Sequence, residues 1–211
     1  VLALASSGLH SNGYSLVRHI IAGAGIAYGD RAVDLGTNGA SWGESLLEPT
    51  RLYTSPLLRL IDGIDGGLHA LSHVTGGGIA ANLARVLPLG TWVDVDRSTW
   101  APPPVFQVLA EIGKLDITAT EGTWNLGIGF LAIVSAETAT AATAALEAEG
   151  IATWQVGTVH DTALPTDGGA FEQGAKGVDG GAVRLVGAYK NSAAQGGTTQ
   201  ISDRAAADGA K

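Results

Sequence analysis

The sequence predicts an α/β protein (α+β in the broad sense), because segments typical of strands alternate with segments of helical periodicity along its 211 residues. Val1 to Ala5 is a short apolar run typical of a strand, and from Tyr14 onward apolar residues recur at helical spacing. Hydrophobic residues make up 45% of the chain and charged residues only 15%, which excludes a disordered protein. The length is sufficient for one domain with a substantial core.

The predicted strands are apolar runs or segments in which apolar and polar residues alternate. They are 1–5, 67–74, 92–95, 127–134, 152–159 and 181–186. The run 127–134, GIGFLAIV, is apolar on both faces and predicts a central strand.

The predicted helices have apolar residues on one face or residues that favour a helix start. The first begins near Tyr14, and the others cover 41–47, 55–63, 79–86, 105–112 and 135–149. Ser55 and Ser135 are the expected N-caps of two of them, with Pro56 at the first helical position. A Gly- and Asp-rich loop is expected at 165–180. The domain is predicted to span 1–188, with a flexible tail over 189–211.

The acidic balance of the chain limits its partners. Its net charge of −8 disfavours binding to nucleic acids or anionic membranes through a broad field. An anion must therefore be bound locally, by backbone amides and a few arginines. The absence of cysteine excludes disulfides, Cys-ligated zinc and a thiol nucleophile.

Targeting signals are not visible in the sequence. No apolar run approaches the length of a transmembrane helix, and Val1 to Ala5 is too short for the apolar part of a signal peptide. A cytoplasmic location is therefore expected. The sequence contains no methionine and starts inside a strand-like run, which predicts that it is one domain of a longer chain.

The first candidate site is the turn 6–13, SSGLHSNG, between the first strand and the first helix. Its glycines and polar residues are Ser6, Ser7, Gly8, His10, Ser11, Asn12 and Gly13. The first N–H groups of a helix have no partner inside it, and the helix dipole adds partial positive charge there. The turn therefore suits a phosphate or carboxylate. The alternative is that Asn12 simply caps the helix.

A second turn of the same kind consists of Thr75, Gly76, Gly77 and Gly78, between a predicted strand and a predicted helix. It lacks the Gly-Lys-Ser/Thr sequence of a P-loop. It is either a second anion site, with His73 beside it, or a turn whose glycines let the helix pack close to the sheet.

Other combinations of reactive residues are weaker candidates. His69 and His73 lie in a strand-like run, where four residues span roughly 13 Å, too far for one metal ion. No metal site is predicted. The serines near His10 lack the Gly-x-Ser-x-Gly turn of a hydrolase. The sequence offers only one candidate pair of Mg²⁺-binding carboxylates, Asp94 and Asp96. Such a pair more commonly lies on a solvent-exposed edge of a strand. The tryptophans are expected to pack in the core.

Five motifs occur in a fixed order along the chain. They are SSGLHSNGYSLVR (6–18), LLEPTRLY (46–53), HVTGGG with NLARVLP (73–78 and 82–88), STWAPPPVF (98–106) and TWNLGIGF (123–130). Together they resemble the C-terminal domain of the phosphoribosylformylglycinamidine cyclo-ligase family, also called AIR synthetase. The resemblance covers residues 1 to 160, with weaker support to 188. The same domain type occurs in formylglycinamidine synthase, selenophosphate synthetase, thiamine-monophosphate kinase and a hydrogenase maturation factor.

The resemblance implies a three-layer α/β/α sandwich with a mixed sheet and some likeness to a ferredoxin. It also implies an ATP-dependent ring closure in purine biosynthesis. In that reaction ATP phosphorylates the formyl oxygen of a linear ribonucleotide, the neighbouring nitrogen attacks, and phosphate leaves. The expected cofactors are ATP and Mg²⁺, with most of their ligands in an N-terminal domain that this sequence lacks. The expected partners are a ribonucleotide with a phosphate group, that N-terminal domain, and a second copy in a homodimer.

The resemblance also implies roles for single residues. The polar residues of turn 6–13 would hold substrate phosphate or ribose, and Thr75 to Gly78 would approach a second anionic group. His10 and His73 are the catalytic candidates. Arg51 is either an anion clamp or part of a helix-packing ion pair. Asn125 either faces the cleft or is a satisfied turn residue. Its segment departs from the usual Phe-Asn-Met-Gly-Val-Gly-Met of the family, with Trp124 in place of Phe.

Three functions follow from these observations. The first is the substrate-binding half of a cyclo-ligase, inactive alone. The second is a non-catalytic anion-binding or scaffold domain. The third is another enzyme of the superfamily, such as a small-molecule kinase.

Overall fold

The computed structural model describes residues 1–32, 35, 39–175 and 177–190. The strands are β1 (Leu2–Ala5), β2 (Leu68–His73), β3 (Trp92–Asp96), β4 (Ile128–Val134), β5 (Thr153–Gln155), β6 (Glu172–Ala175) and β7 (Val178–Val186). The helices are α1 (Tyr14–Gly23), α2 (Trp42–Leu46), α3 (Thr54–Gly63), α4 (Gly78–Ala84), α5 (Pro104–Ile112) and α6 (Ala139–Ala148). The mixed α/β class predicted from the sequence is confirmed. No helix in these ranges is long and apolar enough to cross a membrane.

The larger sheet has the strand order β2-β4-β1-β5, and all its neighbours are antiparallel. Leu131 of β4 pairs with Ala3 on one side and with Ser72 on the other. The central position predicted for this strand is therefore confirmed. The ends of β1 and β2 lie on either side of β4, so the turns that follow these two strands emerge close together.

The smaller sheet has the order β3-β7-β6 and contains the mixed pairing, since β3 runs parallel to β7 and β6 antiparallel to it. The loop predicted at 165–180 is wrong in part, because 172–175 and 178–180 lie in strands. The glycines of this region serve close packing. A Cβ on Gly180 would overlap the carbonyl oxygen of Ala84, so only glycine lets α4 approach β7 this closely.

Apolar side chains cover both faces of the larger sheet. On one face Leu2 and Leu4 pack with Leu60 of α3 and Leu146 of α6. On the other face lies a cluster that includes Leu131, Leu83 of α4, and Val93 and Val183 of the smaller sheet. A third cluster joins α1, α2 and α5. Of the five tryptophans, Trp42, Trp92, Trp100 and Trp124 are buried, as expected for core residues.

Two predicted helix starts are wrong by a few residues. The N-cap of α3 is Tyr53 and not Ser55, and Pro56 lies within the first turn, where no N–H is required. The N-cap of α6 is Thr138 and not Ser135, whose hydroxyl lies 2.9 Å from the Thr138 hydroxyl in a preceding turn. Both helix starts contact distant parts of the chain, since the Tyr53 hydroxyl donates to the Ala5 carbonyl at 2.6 Å and the Ser135 N–H to the Gly67 carbonyl at 2.8 Å.

The carboxylates of Asp94 and Asp96 are used structurally. Arg184, which is 7% exposed, donates to both oxygens of Asp94 at 2.9 and 2.8 Å. Asp96 accepts from the backbone N–H of Ser98 at 2.8 Å and caps a short 3-10 turn. These contacts occupy the pair of carboxylates considered for Mg²⁺.

Tyr189 anchors the end of the described chain, at the residue where the tail was predicted to begin. Its hydroxyl donates to Glu121 at 2.7 Å. Its ring packs against that of Trp100 in a T-shaped arrangement, with ring centroids 5.3 Å apart. Arg97 donates to both oxygens of the same Glu121 carboxylate, at 2.6 and 2.8 Å. This network ties Tyr189 to the segment that follows α5. The rest of the predicted tail, 191–211, lies outside the described residues.

Substitution of Tyr189 tests that anchor. Tyr189→Phe leaves a charged acceptor with one donor fewer and is expected to lower the free energy of unfolding by about 1 to 2 kcal/mol. Tyr189→Ala also removes ring packing and is expected to cost about 3 kcal/mol or more. Urea denaturation measures both. Tyr28→Phe, at an exposed tyrosine, is the matched control, and an unchanged Tyr189→Ala midpoint would contradict the anchoring role.

Candidate functional site

The turn after β1 is held in shape by hydrogen bonds among its own residues and the 125–127 segment. The Ser6 hydroxyl and the Asn125 amide nitrogen both donate to the Gly8 carbonyl at 2.9 Å. The Asn125 side-chain oxygen accepts from the Gly127 N–H at 2.9 Å. Ser6 and Asn125 are buried, so these groups shape the turn and are not open to a ligand. Of the two alternatives for Asn125, the geometry is that of a satisfied turn residue.

His10 lies at the centre of the site and is only 4% exposed. Its Nε2 accepts from the backbone N–H of Ser7 at 3.1 Å and, more weakly, from that of Arg51 at 3.5 Å. The Ser7 hydroxyl donates to the Pro49 carbonyl at 2.6 Å, which ties the turn to the 46–53 loop. Within the described residues the Nδ1 atom of His10 is buried without a hydrogen-bond partner.

The His10 imidazole is held neutral. Burial, with smaller electrostatic contributions from the nearby His73 and Arg51, lowers its pKa from 6.5 to about 4. The ring packs edge-on against that of Tyr53, with ring centroids 6.1 Å apart. At neutral pH, therefore, the site contains an uncharged imidazole whose Nε2 is already used as an acceptor.

This shift makes stability depend on pH. The unfolded chain takes up a proton at His10 near pH 6.5, and the folded chain does so only near pH 4, so acid favours unfolding over that window. We expect the wild type to lose up to about 3 kcal/mol between pH 6.5 and pH 4 through this group alone. Denaturation at pH 7 and pH 4.5 measures the loss. In His10→Asn this part of the pH dependence should disappear, and an identical dependence in both proteins would refute the assignment.

Backbone N–H groups without a protein acceptor cluster at the start of α1. In the described part of the chain none is bonded at Gly8, Leu9, His10, Ser11, Gly13, Tyr14 or Ser15. The N-cap of α1 is Gly13, with φ 73°, and no side chain caps the helix. Asn12 therefore does not cap it, and its amide reaches toward the Val74 carbonyl at 3.5 Å instead. Gly8, Leu9 and His10 are buried, whereas the N–H groups of Ser11, Gly13, Tyr14 and Ser15 belong to residues that are not buried and form a donor-rich surface suited to an anion.

Trp124 forms one wall of this helix start. Its indole lies against Gly13 so closely that a Cβ there would lie 2.6 Å from the indole Nε1 and overlap the neighbouring ring carbon. The indole is 1% exposed, and its N–H has no partner in the described ranges. The Nε of Arg51 is a further buried donor without a partner there. Three residues in or beside the first turn therefore each have a buried side-chain nitrogen without a hydrogen-bond partner: His10, Arg51 and Trp124.

The triple-glycine turn is partly occupied by the chain itself. The Gly77 N–H donates to the Gly122 carbonyl at 3.1 Å, and the Gly78 N–H to the Thr75 carbonyl at 3.1 Å. Gly78 packs directly against the backbone of Glu121. Gly76 is exposed, and its N–H has no acceptor among the residues that the structure describes. The turn therefore offers an anion less than the first turn does.

His73 and Arg51 flank the first turn. His73 is exposed at the end of β2 and stacks on Phe130 with ring centroids 5.3 Å apart. The Arg51 guanidinium donates to the Gly150 carbonyl at 3.1 Å and forms no ion pair with any described residue. The ion-pair alternative for Arg51 therefore has no described partner, and the anion clamp stays a prediction.

The family profile "AIR synthase related protein, C-terminal domain" matches residues 1–166, well over half of the chain. The chain belongs to this family.

Relatives in the AIR synthase family are similar over the same region. A Streptomyces fradiae protein, provisionally named a phosphoribosylformylglycinamidine cyclo-ligase, is 49% identical over 162 residues, which are 76% of this chain and 86% of that protein. The cyclo-ligase of Rippkaea orientalis is 43% identical over 159 residues, 75% of this chain but 45% of its own length. The chain therefore spans less than half of that cyclo-ligase. Escherichia coli HypE, a hydrogenase maturation protein, superposes with a TM-score of 0.48 at 20% identity, over 89% of this chain and 47% of HypE.

Sequence reasoning missed two residues of this AIR synthase domain that shape the site. Gly129 of β4 lies beneath His10 and Tyr53, since a Cβ there would lie 2.6 Å from the His10 Cε1 and overlap the Tyr53 hydroxyl. Asn82 of α4 donates to the Thr75 carbonyl at 3.1 Å and the Gly78 carbonyl at 2.6 Å, and so holds the triple-glycine turn. Gly129 lies in the motif TWNLGIGF and Asn82 in the motif NLARVLP. A glycine in a predicted central strand and an asparagine within a predicted helix were the available signals.

A small cavity adjoins the first turn. It has a volume of about 200 Å³ and is lined by Ser7, Gly8, Leu46, Glu48 and Pro103, among others. It lies between the first turn and the 46–53 loop.

Proposed function

We propose that this domain is the substrate-binding half of an ATP-dependent cyclo-ligase, which closes formylglycinamidine ribonucleotide to aminoimidazole ribonucleotide in purine biosynthesis. The observation that carries the proposal is the set of buried donors without partners at the first turn: His10 Nδ1, Arg51 Nε and Trp124 Nε1. Buried donors are almost always paired in native proteins, so these three donors support binding of a ligand that carries acceptors. A phosphorylated ribonucleotide is rich in such acceptors.

The first turn would hold the phosphate or ribose of that substrate. The unbonded N–H groups of Ser11, Gly13 and Tyr14 supply directed donors at the positive end of α1, and Arg51 supplies a full positive charge. Such local donors are what an acidic protein with a net charge of −8 requires to bind an anion. The exposed Gly76 and His73 would contact a second polar group of the substrate.

The remaining parts of the proposed enzyme lie outside this chain. ATP would supply the phosphoryl group that activates the formyl oxygen. In the described ranges no group of three or more His, Asp or Glu side chains is arranged to hold a metal ion. We assign ATP, Mg²⁺ and the cleft they occupy to an N-terminal partner domain, and we expect the complete cytoplasmic enzyme to be a homodimer. Phosphoryl transfer depends mainly on positioning and charge stabilisation, so such a division is feasible.

A complementation assay tests this division of labour. We expect the 211-residue chain alone to show no ATP-dependent cyclisation. Addition of a separately expressed N-terminal half from a matching cyclo-ligase should restore measurable release of ADP and aminoimidazole ribonucleotide. Activity of the chain alone would refute the division, and binding of substrate without restored activity would indicate a non-catalytic anion-binding domain.

A calorimetric titration with ribose 5-phosphate tests the site directly. Gly13→Ala is expected to weaken binding at least tenfold, because its Cβ would displace Trp124 at the start of α1. Gly25→Ala is the matched control, since Gly25 has a similar φ of 68° but open space around it. Equal affinities for the two variants would place the ligand elsewhere.

A further inference from the structure

We infer that His10 contributes to this site as a neutral hydrogen-bond donor, presenting its Nδ1–H to an oxygen atom of the bound ligand, and that it does not carry protons. The inference rests on the proposed function, because it takes the ligand to be a phosphorylated ribose, and it goes further by fixing the tautomer and the role of the histidine. It is carried by the hydrogen bonds of the ring, by its burial and by the charges around it.

The hydrogen bonds of the ring determine the tautomer. A neutral imidazole has one nitrogen that donates and one that accepts. Two backbone N–H groups, of Ser7 and Arg51, point at Nε2 from 3.1 and 3.5 Å, so Nε2 must carry the lone pair. The proton is therefore on Nδ1. Backbone donors cannot reverse their direction, so this assignment does not depend on a rotatable group.

The surroundings of the ring oppose its protonation. Arg51 from the 46–53 loop and His73 from β2 both disfavour a second positive charge. The Tyr53 hydroxyl is committed to the Ala5 carbonyl at 2.6 Å, and Glu48 of the same loop faces Gly8. None of the described carboxylates accepts from His10. The ring is also 96% removed from solvent, since its exposed fraction is 4%.

These facts together define what the histidine can do. A buried Nδ1–H without a partner costs free energy that a ligand oxygen recovers on binding. A donor that stays neutral can stabilise negative charge that develops on that oxygen without giving up its proton, as an oxyanion-hole donor does. A proton carrier would need a pKa near neutrality and an unprotonated nitrogen open to a proton, whereas the pKa of His10 is about 4 and its Nε2 already accepts from backbone N–H groups.

Nitrogen NMR of the histidine-labelled chain tests the tautomer without any ligand. The His10 signals are assigned by their loss in His10→Asn. We expect a protonated Nδ1 and an unprotonated Nε2, with shifts that stay constant from pH 5.5 to pH 8. A protonated Nε2, or a titration midpoint between pH 6 and pH 7, would overturn the inference.

Binding of ribose 5-phosphate, with inorganic phosphate as the second probe, tests the donor role. Asparagine can place an amide N–H close to the position of Nδ1 and tolerates the left-handed backbone at His10, where φ is 56°. We expect His10→Asn to bind within about threefold of wild type, and His10→Ala to bind about 10- to 100-fold more weakly. His69→Asn, at an exposed histidine of β2, is the control for an unrelated histidine. If inorganic phosphate shows the same pattern, the donor meets the phosphate group; if only ribose 5-phosphate does, it meets the ribose.

The outcomes separate the two proposals. Wild-type protein that binds neither probe would defeat the proposed function and, with it, the ligand role of His10. Wild-type binding that is unchanged in His10→Ala would leave the proposed function standing and defeat this inference. Thermal unfolding of each variant identifies a loss of binding that comes from loss of the fold.

Discussion

Gly78→Ala is expected to lower the free energy of unfolding by at least about 3 kcal/mol, whereas Gly76→Ala, two residues earlier in the same triple glycine, should change it by less than about 1 kcal/mol. A Cβ on Gly78 would overlap the carbonyl oxygen of Glu121 and lie 2.8 Å from its carbonyl carbon. Gly78 also has φ 69°, which costs a side-chain-bearing residue about a further 1 to 2 kcal/mol. Gly76 has open space around it.

The neighbour of Gly78 cannot easily move aside. Glu121 is held by both nitrogens of the Arg97 fork, at 2.6 and 2.8 Å, and by the Tyr189 hydroxyl at 2.7 Å. A shift of its backbone therefore strains a partly buried ion pair as well as the Gly77-to-Gly122 hydrogen bond. The overlap is with backbone, so no change of rotamer relieves it.

Chemical denaturation of the three single variants measures the effect. Gly77 has φ 107° and its added Cβ would lie 3.2 Å from the Cβ of Ala81, so Gly77→Ala should fall between the other two. The expected order of destabilisation is Gly76, then Gly77, then Gly78. Equal and small losses at Gly76 and Gly78 would show that the glycines serve only flexibility and that Glu121 does not pack there.

Local patterns were sufficient to predict most elements of the fold. The apolar run at 127–134 gave a central strand because a strand paired on both sides and covered on both faces has no polar positions. The 41–47 turn was predictable because Ser41 and Glu44 form a capping box, a motif contained in four residues. The position of the first turn between β1 and α1 followed from the change of hydrophobic period at Tyr14.

Long-range contacts account for what the sequence did not show. The free N–H groups expected at the triple glycine are partly occupied by Gly122, about 45 residues further along the chain, and nothing near Gly77 signals that partner. Likewise 178–180 reads as a loop because it is rich in glycine and aspartate, although Gly180 is required for the contact between β7 and α4. The tautomer of His10 is set by the local Ser7 N–H together with the Arg51 N–H, and only the folded loop brings the second of these to the ring.

The second large effect is expected at Gly129, the residue of β4 beneath the site. Gly129→Ala should cost about 2 to 3 kcal/mol of stability and weaken ribose 5-phosphate binding at least tenfold. Its Cβ would overlap the Tyr53 hydroxyl and lie 2.6 Å from the His10 Cε1. The strand cannot shift away, because it is paired with β1 on one side and β2 on the other. The two rings must therefore move, and with them the Nδ1–H offered to a ligand.

A double-mutant cycle with Tyr53→Phe separates the two overlaps. Removal of the hydroxyl leaves the Ala5 carbonyl without that donor and is expected to cost about 1 kcal/mol alone. In the Gly129→Ala background the same change relieves an overlap, so the double variant should be clearly less destabilised than the sum of the single effects. Binding should stay weak, because the contact with His10 Cε1 persists. Gly63→Ala, which has open space around it, controls for the general effect of the substitution. Strict additivity in the cycle, or full binding by Gly129→Ala, would mean that this glycine does not set the position of His10.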